Sequence, residues 1–231
     1  MYADILGPEN ILLLNLPSRF NSAATRNSAQ QLAQALGANY AVMPISESYE
    51  LTVKQLEETP ITNLADGSNF NLQLSGLIKE NIQARDRGAR VIAAASAAFG
   101  GAFSCNSNKA ELAIGYATFY GDICGAMAMI GDLWKHQVYA LGRYLNEVVY
   151  KREIIPEAIF TIRPSAELSD AQTVGNGGDP LVYAYHDYLL RAFIENWHKT
   201  TPADILRWYK AGTLAAELGC TQEAINKACP D

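Results

Sequence analysis

A chain of 231 residues, 49% of them hydrophobic, can build one substantial domain, or a domain with an appendage. Its formal net charge of -6 and pI near 5.1 argue against general nucleic-acid binding, which favours a basic surface, but leave room for a phosphorylated small molecule held by a local cluster of Arg and Lys. No apolar run reaches the roughly 18 residues of a membrane span, and Met1 to Leu6 lacks the basic start and apolar core of a signal peptide. A cytoplasmic protein is therefore expected. Cys105, Cys124, Cys220 and Cys229 match neither CxxC nor zinc-ribbon spacing and read as reduced thiols.

In chain order, Asn10 to Leu16 is a short apolar run ended by Pro17-Ser18, the pattern of a strand buried on both faces of a parallel sheet. Ala23 to Leu36 has helical spacing and a glycine stop at Gly37. Tyr40 to Ile45 reads as a second strand, which completes a βαβ unit. A helix is plausible around Val53 to Glu58, with loop at Thr59-Pro60 and from Ala65 to Asn69. Leu72 to Phe99 reads as one long helix with Leu77, Ile78, Ile82, Arg85, Ala89, Ile92 and Ala93 on one face, ended by Gly100-Gly101. Ala102 to Cys105 reads as a third strand leading into a polar motif. Asp132 to Val149 is a further helix, with Val138, Leu141, Leu145 and Val148 inward. Pro156 to Gly178 is rich in Pro, Ser and Gly, and Gly175 to Asp179 reads as a mobile loop or lid. Leu181 to Cys229 is mostly helical, with starts at Thr201-Pro202 and Thr221.

Asn106 to Glu111 follows a strand and opens a helix. Ligands of open α/β sheets bind at the carboxyl ends of strands, and a helix N-terminus there favours phosphate or carboxylate. The same residues are also good helix caps, so a capping cluster with a solvated Lys109 is an equal reading. Glu111 and Asp122 could supply oxygen ligands for magnesium. Arg85 and Arg87, two apart on a helix, face different directions, so at most one meets a given ligand. His136, His186 and His198 show no metal-site spacing and read as structural or surface residues. No GxSxG, Walker A or GxGxxG motif is present, which leaves serine hydrolysis and hydride transfer without support.

Six ordered blocks resemble those of the glutamine-dependent NAD synthetases. They are Leu16 to Arg19 (LPSR), Glu80 to Gly88 (ENxQxRxRG), Ser107 to Glu111 (GNKSE), Gly115 to Asp122 (GYxTxYGD), Ile130 to Lys135 (IGDLxK) and Pro164 to Leu168 (PSAEL). The resemblance runs from about Ile11 to Asn196. It implies an α/β, Rossmann-like three-layer parallel sheet of the adenine-nucleotide ATP pyrophosphatase type, with a helical C-terminal part. It places the synthetase core in residues 1–170, and a flexible loop and helical extension of the same domain in residues 171–231. The implied reaction adenylates the nicotinate carboxylate of deamido-NAD with ATP and then amidates it, giving NAD, AMP and pyrophosphate. ATP and Mg2+ would be required, and ammonia would come from a glutamine amidase domain outside these residues.

Carried over by position, Asn81, Arg85, Glu111, Tyr116, Ala117, Thr118, Phe119 and Asp122 would bind deamido-NAD. Ser18, Arg19, Asn106, Lys135 and Ser165 would bind ATP. Glu111, Asp122 and Lys135 would be catalytic, with Glu111 also a metal ligand. The Gly175 to Asp179 loop would cover the site. Asn106-Ser107 stands where the family has Thr/Pro-Gly, and Ala110 where it has Ser. The family's Ser-Gly-Gly-x-Asp-Ser phosphate loop is not among these residues, and Tyr2 to Gly7 resembles the tail of the helix after it. The expectation is a piece of the enzyme, inactive alone and part of a homodimer or larger homo-oligomer. The alternative is a non-catalytic paralogue that binds a nucleotide or a partner protein.

Overall fold

Leu12–Asn15 (β1) and Asn39–Val42 (β2) pair in parallel, Leu12 opposite Asn39 and Asn15 opposite Val42, with Ala23–Leu36 (α2) as the crossover between them. The computed structural model describes residues 1–172 and 178–230. The crossover forms because its ends are marked. Ser22 accepts from the Thr25 backbone N–H, and Gly37 closes the helix at φ +70°, a conformation without penalty only for glycine. The strand expected to be buried on both faces is half-buried along its whole length. Among the described residues it pairs only with β2, so its other edge has no ladder partner.

Tyr2–Leu6 (α1) precedes β1, and Ser46–Glu58 (α3) follows β2, a full helix where only its second half was expected. Ile61–Thr62 (β3) and Asn69–Phe70 (β4) form a small antiparallel hairpin around the expected loop. The long helix begins at Gly76 rather than Leu72. Gly76–Arg85 (α4) passes through a wide π-helical stretch, Asp86–Ile92, into Ala93–Ala98 (α5). Each wide turn holds more residues than an α-turn and shifts the phase of the faces. The inward side is thus Gln83, Ala84 and Gly88, while Leu77, Ile78, Arg85 and Ala89 of the expected apolar face are exposed.

The expected third strand at Ala102 to Cys105 is only an isolated parallel bridge between Ser104 and Met127. Its flanking bonds run from the Cys105 N–H to the Met127 carbonyl and from the Ala126 N–H to the Phe103 carbonyl. The segment still runs straight into Lys109–Ile114 (α6). Lys135–Tyr144 (α7) continues through a π-helical end at Leu145–Val149.

Glu157–Thr161 (α8) packs on α2. Tyr183–Ile194 (α9) packs on both α6 and α7, and on Leu214–Leu218 (α11) and Gln222–Ala228 (α12). Pro202–Ala211 (α10) packs against α11, with the expected Thr201 cap and Pro202 start. One core cluster joins Ala110, Trp134 and Tyr183 from the junction of α6, α7 and α9, and a second joins Tyr185, Leu214, Ala224 and Ile225.

Candidate functional site

A cavity of about 430 Å³ opens where the segment between β1 and α2, the π-stretch after α4, α6, α7 and the segment before α9 meet. Its wall carries Asn106, Glu111, Tyr116, Asp122, Lys135 and Ser165 from the expected set, together with Asn21, Arg87 and Asp179. Ser18, Arg19, Asn81, Arg85, Ala117, Thr118 and Phe119 lie off that wall.

Glu111 is held from two sides. The Asn108 side chain accepts from the Ala110 and Glu111 backbone N–H groups, and Glu111 Oε2 accepts from the Asn108 N–H at 2.9 Å, which makes a capping box. Glu111 Oε1 accepts from Lys135 Nζ at 3.4 Å and lies 3.3 Å from the Tyr183 hydroxyl oxygen, whose one proton goes to the nearer Asp179. The capping reading of this motif is thus present in the structure, on a residue that also lines the cavity. Lys109 is not a solvated lysine. It bonds Asp132 at 2.7 Å and Glu195 at 2.6 Å, and lies 5.3 Å from the centre of the buried Trp134 ring. These hydrogen bonds raise its pKa, and the Lys109 bond lowers that of Glu195.

Lys135 is the first residue of α7. That helix end is anchored by Asp187 on α9, whose Oδ2 accepts from the His136 backbone N–H at 2.8 Å and contacts His136 Nδ1 at 2.9 Å. The structural reading of His136 fits this pairing. Asp179, 7% exposed, accepts from the Tyr183 hydroxyl at 2.9 Å and the Tyr116 hydroxyl at 3.3 Å. Burial, reinforced by the Asp179 and Glu111 charges, holds the Tyr183 phenol far above its ordinary pKa. Burial followed by the Asp179 charge does the same for Tyr116. Neither Tyr183 nor Asp179 was singled out from the sequence. The signal available was Tyr183 sitting four residues after Asp179 at a helix start.

Of the two arginines, Arg87 faces the cavity and Arg85 is exposed, its Nε bonding the Phe119 carbonyl. Asn81 accepts from the Thr118 hydroxyl at 2.7 Å, so it ties the Gly115 to Asp122 loop to α4. Asp122 is exposed, with Oδ1 accepting from the Thr118 N–H and its carbonyl from the Ser107 hydroxyl. Phe119 is 72% exposed. Asn106 is exposed and accepts from the Ser104 hydroxyl at 2.9 Å. Ser18 is buried, with its N–H and hydroxyl directed at Asn21 Oδ1, while the Arg19 guanidinium stacks 4.7 Å over Phe20. The Ser165 hydroxyl donates to the Gln172 carbonyl. The covering loop expected at Gly175 to Asp179 falls largely on residues 173–177, outside the described residues.

No group of three or more metal-ligating His, Cys, Asp or Glu residues occurs among the described residues. Glu111 nevertheless lines the cavity, and one carboxylate completed by substrate phosphate oxygens is an ordinary arrangement for magnesium.

Fold and cavity together define an α/β protein of the Rossmann-like kind, with charged and polar side chains on its cavity wall. The family model described as NAD synthase matches residues 1–225, and the chain belongs to that family. It is 36% identical over 173 residues to the glutamine-dependent NAD(+) synthetase of Xanthomonas campestris pv. campestris, covering 75% of this chain and 29% of the relative. To that of Aquifex aeolicus it is 36% identical over 204 residues, covering 88% and 33%. The chain thus spans about a third of the length of such relatives. Among solved structures, NMN synthetase from Francisella tularensis superposes with a TM-score of 0.61 at 23% identity, covering 90% of this chain and 75% of that one. Glutamine-dependent NAD+ synthetase from Acinetobacter baumannii, in complex with ADP, gives 0.59 at 25% identity, covering 98% and 35%.

Proposed function

We propose that this chain carries the synthetase part of a glutamine-dependent NAD synthetase. Such a protein activates the nicotinate carboxylate of deamido-NAD with ATP and amidates it with ammonia released from glutamine by another domain. The observation that carries the reading is convergence. Arg87, Glu111, Asp122, Lys135 and Ser165 come from five separate blocks of family-like sequence and line one cavity.

The chemistry suits these side chains. A carboxylate is a poor electrophile, so its oxygen must first displace pyrophosphate from the α-phosphorus of ATP. Ammonia then attacks the acyl carbon, AMP leaves with the C–O bond pair, and the new amide sheds a proton. Both steps shift negative charge onto phosphate oxygens, which preorganised cations stabilise in a site shielded from water. Lys135 and Arg87 are the cations available on the cavity wall. Glu111, held by Lys135 and its capping box, would hold magnesium, which when bound would offset phosphate charge as a Lewis acid. Asp179 accepts both tyrosine hydroxyls and so fixes the Tyr183 phenol that packs beside Glu111. Asn81, Thr118 and the rest of the Gly115 to Asp122 loop would receive deamido-NAD. The division at residue 170 between core and extension is kept as a proposal, with the second part supplying Tyr183 and Asp179 to the first.

Calorimetric titration with deamido-NAD and NAD tests this. The expected result is preference for deamido-NAD, weakened about tenfold by Glu111→Ala, as loss of one charged hydrogen bond would do. Equal affinity for the two, untouched by Glu111→Ala, would remove the reading. The 231 residues contain no Ser-Gly-Gly-x-Asp-Ser segment. A polypeptide of these residues alone is therefore expected to bind without completing the ligation, and ATP-dependent NAD formation by it from ammonia would contradict that.

A further inference from the structure

Glu167 is 3% exposed and sits at φ +47°, a left-handed conformation that non-glycine residues seldom enter and that persists only where surrounding contacts over-determine it. The Glu167 N–H donates to the Ser165 hydroxyl oxygen at 3.2 Å, and the contacts of its carboxylate lie at the start of one neighbouring element. Oε1 accepts from the Ser22 backbone N–H at 3.0 Å, and Oε2 accepts from the Thr25 hydroxyl at 2.8 Å and from Asn21 Nδ2 at 3.1 Å. Ser22 is the N-cap of the 14-residue α2, so the carboxylate lies against the positive end of that helix. The anion that this helix end favours is supplied by the protein itself.

The consequence reaches past the cap. An amide has one accepting and one donating end. With Nδ2 turned toward Glu167, Asn21 presents Oδ1 the other way, where it accepts from the Ser18 N–H at 2.8 Å and from Arg87 Nη2 at 3.2 Å. Arg87 Nε donates to the Leu16 carbonyl at 2.9 Å. The guanidinium is thus held by two of its five donors, and its residue lines the cavity. Burial lowers the Arg87 pKa, while the charges of Asp86 and Glu167 act in the opposite direction.

We propose that Glu167 is a positioning residue for the ligand site: it fixes the Asn21 amide, and through it aims Arg87 into the cavity to meet the phosphates of a nucleotide substrate. The last clause rests on the functional reading above, whereas the relay from Glu167 to Arg87 does not.

Nuclear magnetic resonance of the Arg87 Nε–H separates the two. In Glu167→Gln the new amide can turn N–H groups toward Asn21 Nδ2, so the Asn21 side chain flips and turns its own donors on Arg87. The Arg87 resonance is expected to shift, and its exchange with solvent to quicken about tenfold, the protection of one buried hydrogen bond. Combining Glu167→Gln with Asn21→Asp restores an acceptor toward both partners and is expected to return the resonance to its original position. Movement confined to Ser22 and Thr25, with Arg87 unchanged, would overturn the proposal and leave Glu167 a helix cap. Should Glu167→Gln not fold, Asn21→Ala keeps the bonds to Ser22 and Thr25 and must displace Arg87 by itself, and an unmoved Arg87 there overturns the relay equally. ADP affinity in the same variants is the separate readout. A roughly fivefold loss that follows the Arg87 shift supports the nucleotide clause. A shifted Arg87 with unchanged ADP affinity would overturn that clause alone.

Discussion

Lys135 and Glu111 face each other across 3.4 Å at the cavity wall, each about a fifth exposed. Because Glu111 Oε2 keeps the Asn108 N–H of its capping box, removing the lysine charge does not strand the carboxylate. Lys135→Met is therefore expected to leave the melting temperature nearly unchanged and to weaken ADP binding about tenfold, as for one charge-assisted contact to phosphate. Equal ADP affinity in the variant and the parent would take Lys135 out of the ATP role. Tyr183 offers a test by pH. Its folded pKa is raised above the ordinary 10.0, by burial first and then by the Asp179 and Glu111 charges. Stability from the neutral phenol is thus fully present below pH 10 and is lost as pH rises through the folded value. Ultraviolet titration of the phenolate band should show fewer early-titrating tyrosines in the folded protein than in urea, with Tyr183 and Tyr116 among the late ones, and Tyr183→Phe should lessen the alkaline loss of stability. Single residues were legible where one block of sequence held both the residue and its partner, as with Asn108 and Glu111. Arg87 was not separable from Arg85, because helical spacing says only that they diverge. Which one faces inward depends on the phase of the π-helical stretch, and no local residue pattern announces that.

At the scale of elements, the wide stretch after α4 has a contact that only glycine allows. A Cβ on Gly88 would lie 2.1 Å from the Gly121 carbonyl oxygen and 2.9 Å from Cys124 Sγ. The first of these is backbone and cannot swing away. Gly88→Ala is expected to destabilise the fold by about 3 kcal/mol, at the upper end of overpacking costs. Urea unfolding measures it, and a loss below about 0.5 kcal/mol, the scatter of neutral surface changes, would mean that the two segments are not in contact. The sequence pattern located helices whose ends carry their own signals, α2 between Ser22 and Gly37 and α10 from Thr201-Pro202. It overstated Ala102 to Cys105 as a strand. Four short residues before a polar motif resemble an edge strand, but a strand is made by its partners, and here the partner is a single bridge to Met127.

At the scale of the whole molecule, five of the six sequence blocks supply a residue to one cavity wall, while Leu16 to Arg19 supplies none. The outer surface was less legible, since solvent exposure is set by elements distant in sequence. Leu77 is 67% exposed, Phe119 72% and Tyr120 75%. Asn81, one turn after Leu77, bonds Thr118, and Arg85 bonds the Phe119 carbonyl, so these apolar side chains border one region where α4 carries the Gly115 to Asp122 loop. Apolar surface gathered in this way favours association over a dispersed monomer. We propose a homo-oligomer that buries the α4 face. Sedimentation velocity of the chain is expected to give a dimer or larger species at micromolar concentration, and Leu77→Asp combined with Phe119→Asp is expected to shift it to monomer, since burying two unpaired carboxylates opposes an apolar interface. A dimer indifferent to both substitutions would move the interface elsewhere, with the open β1 edge as the next surface to block. A strict monomer at every concentration would end the proposal for these residues.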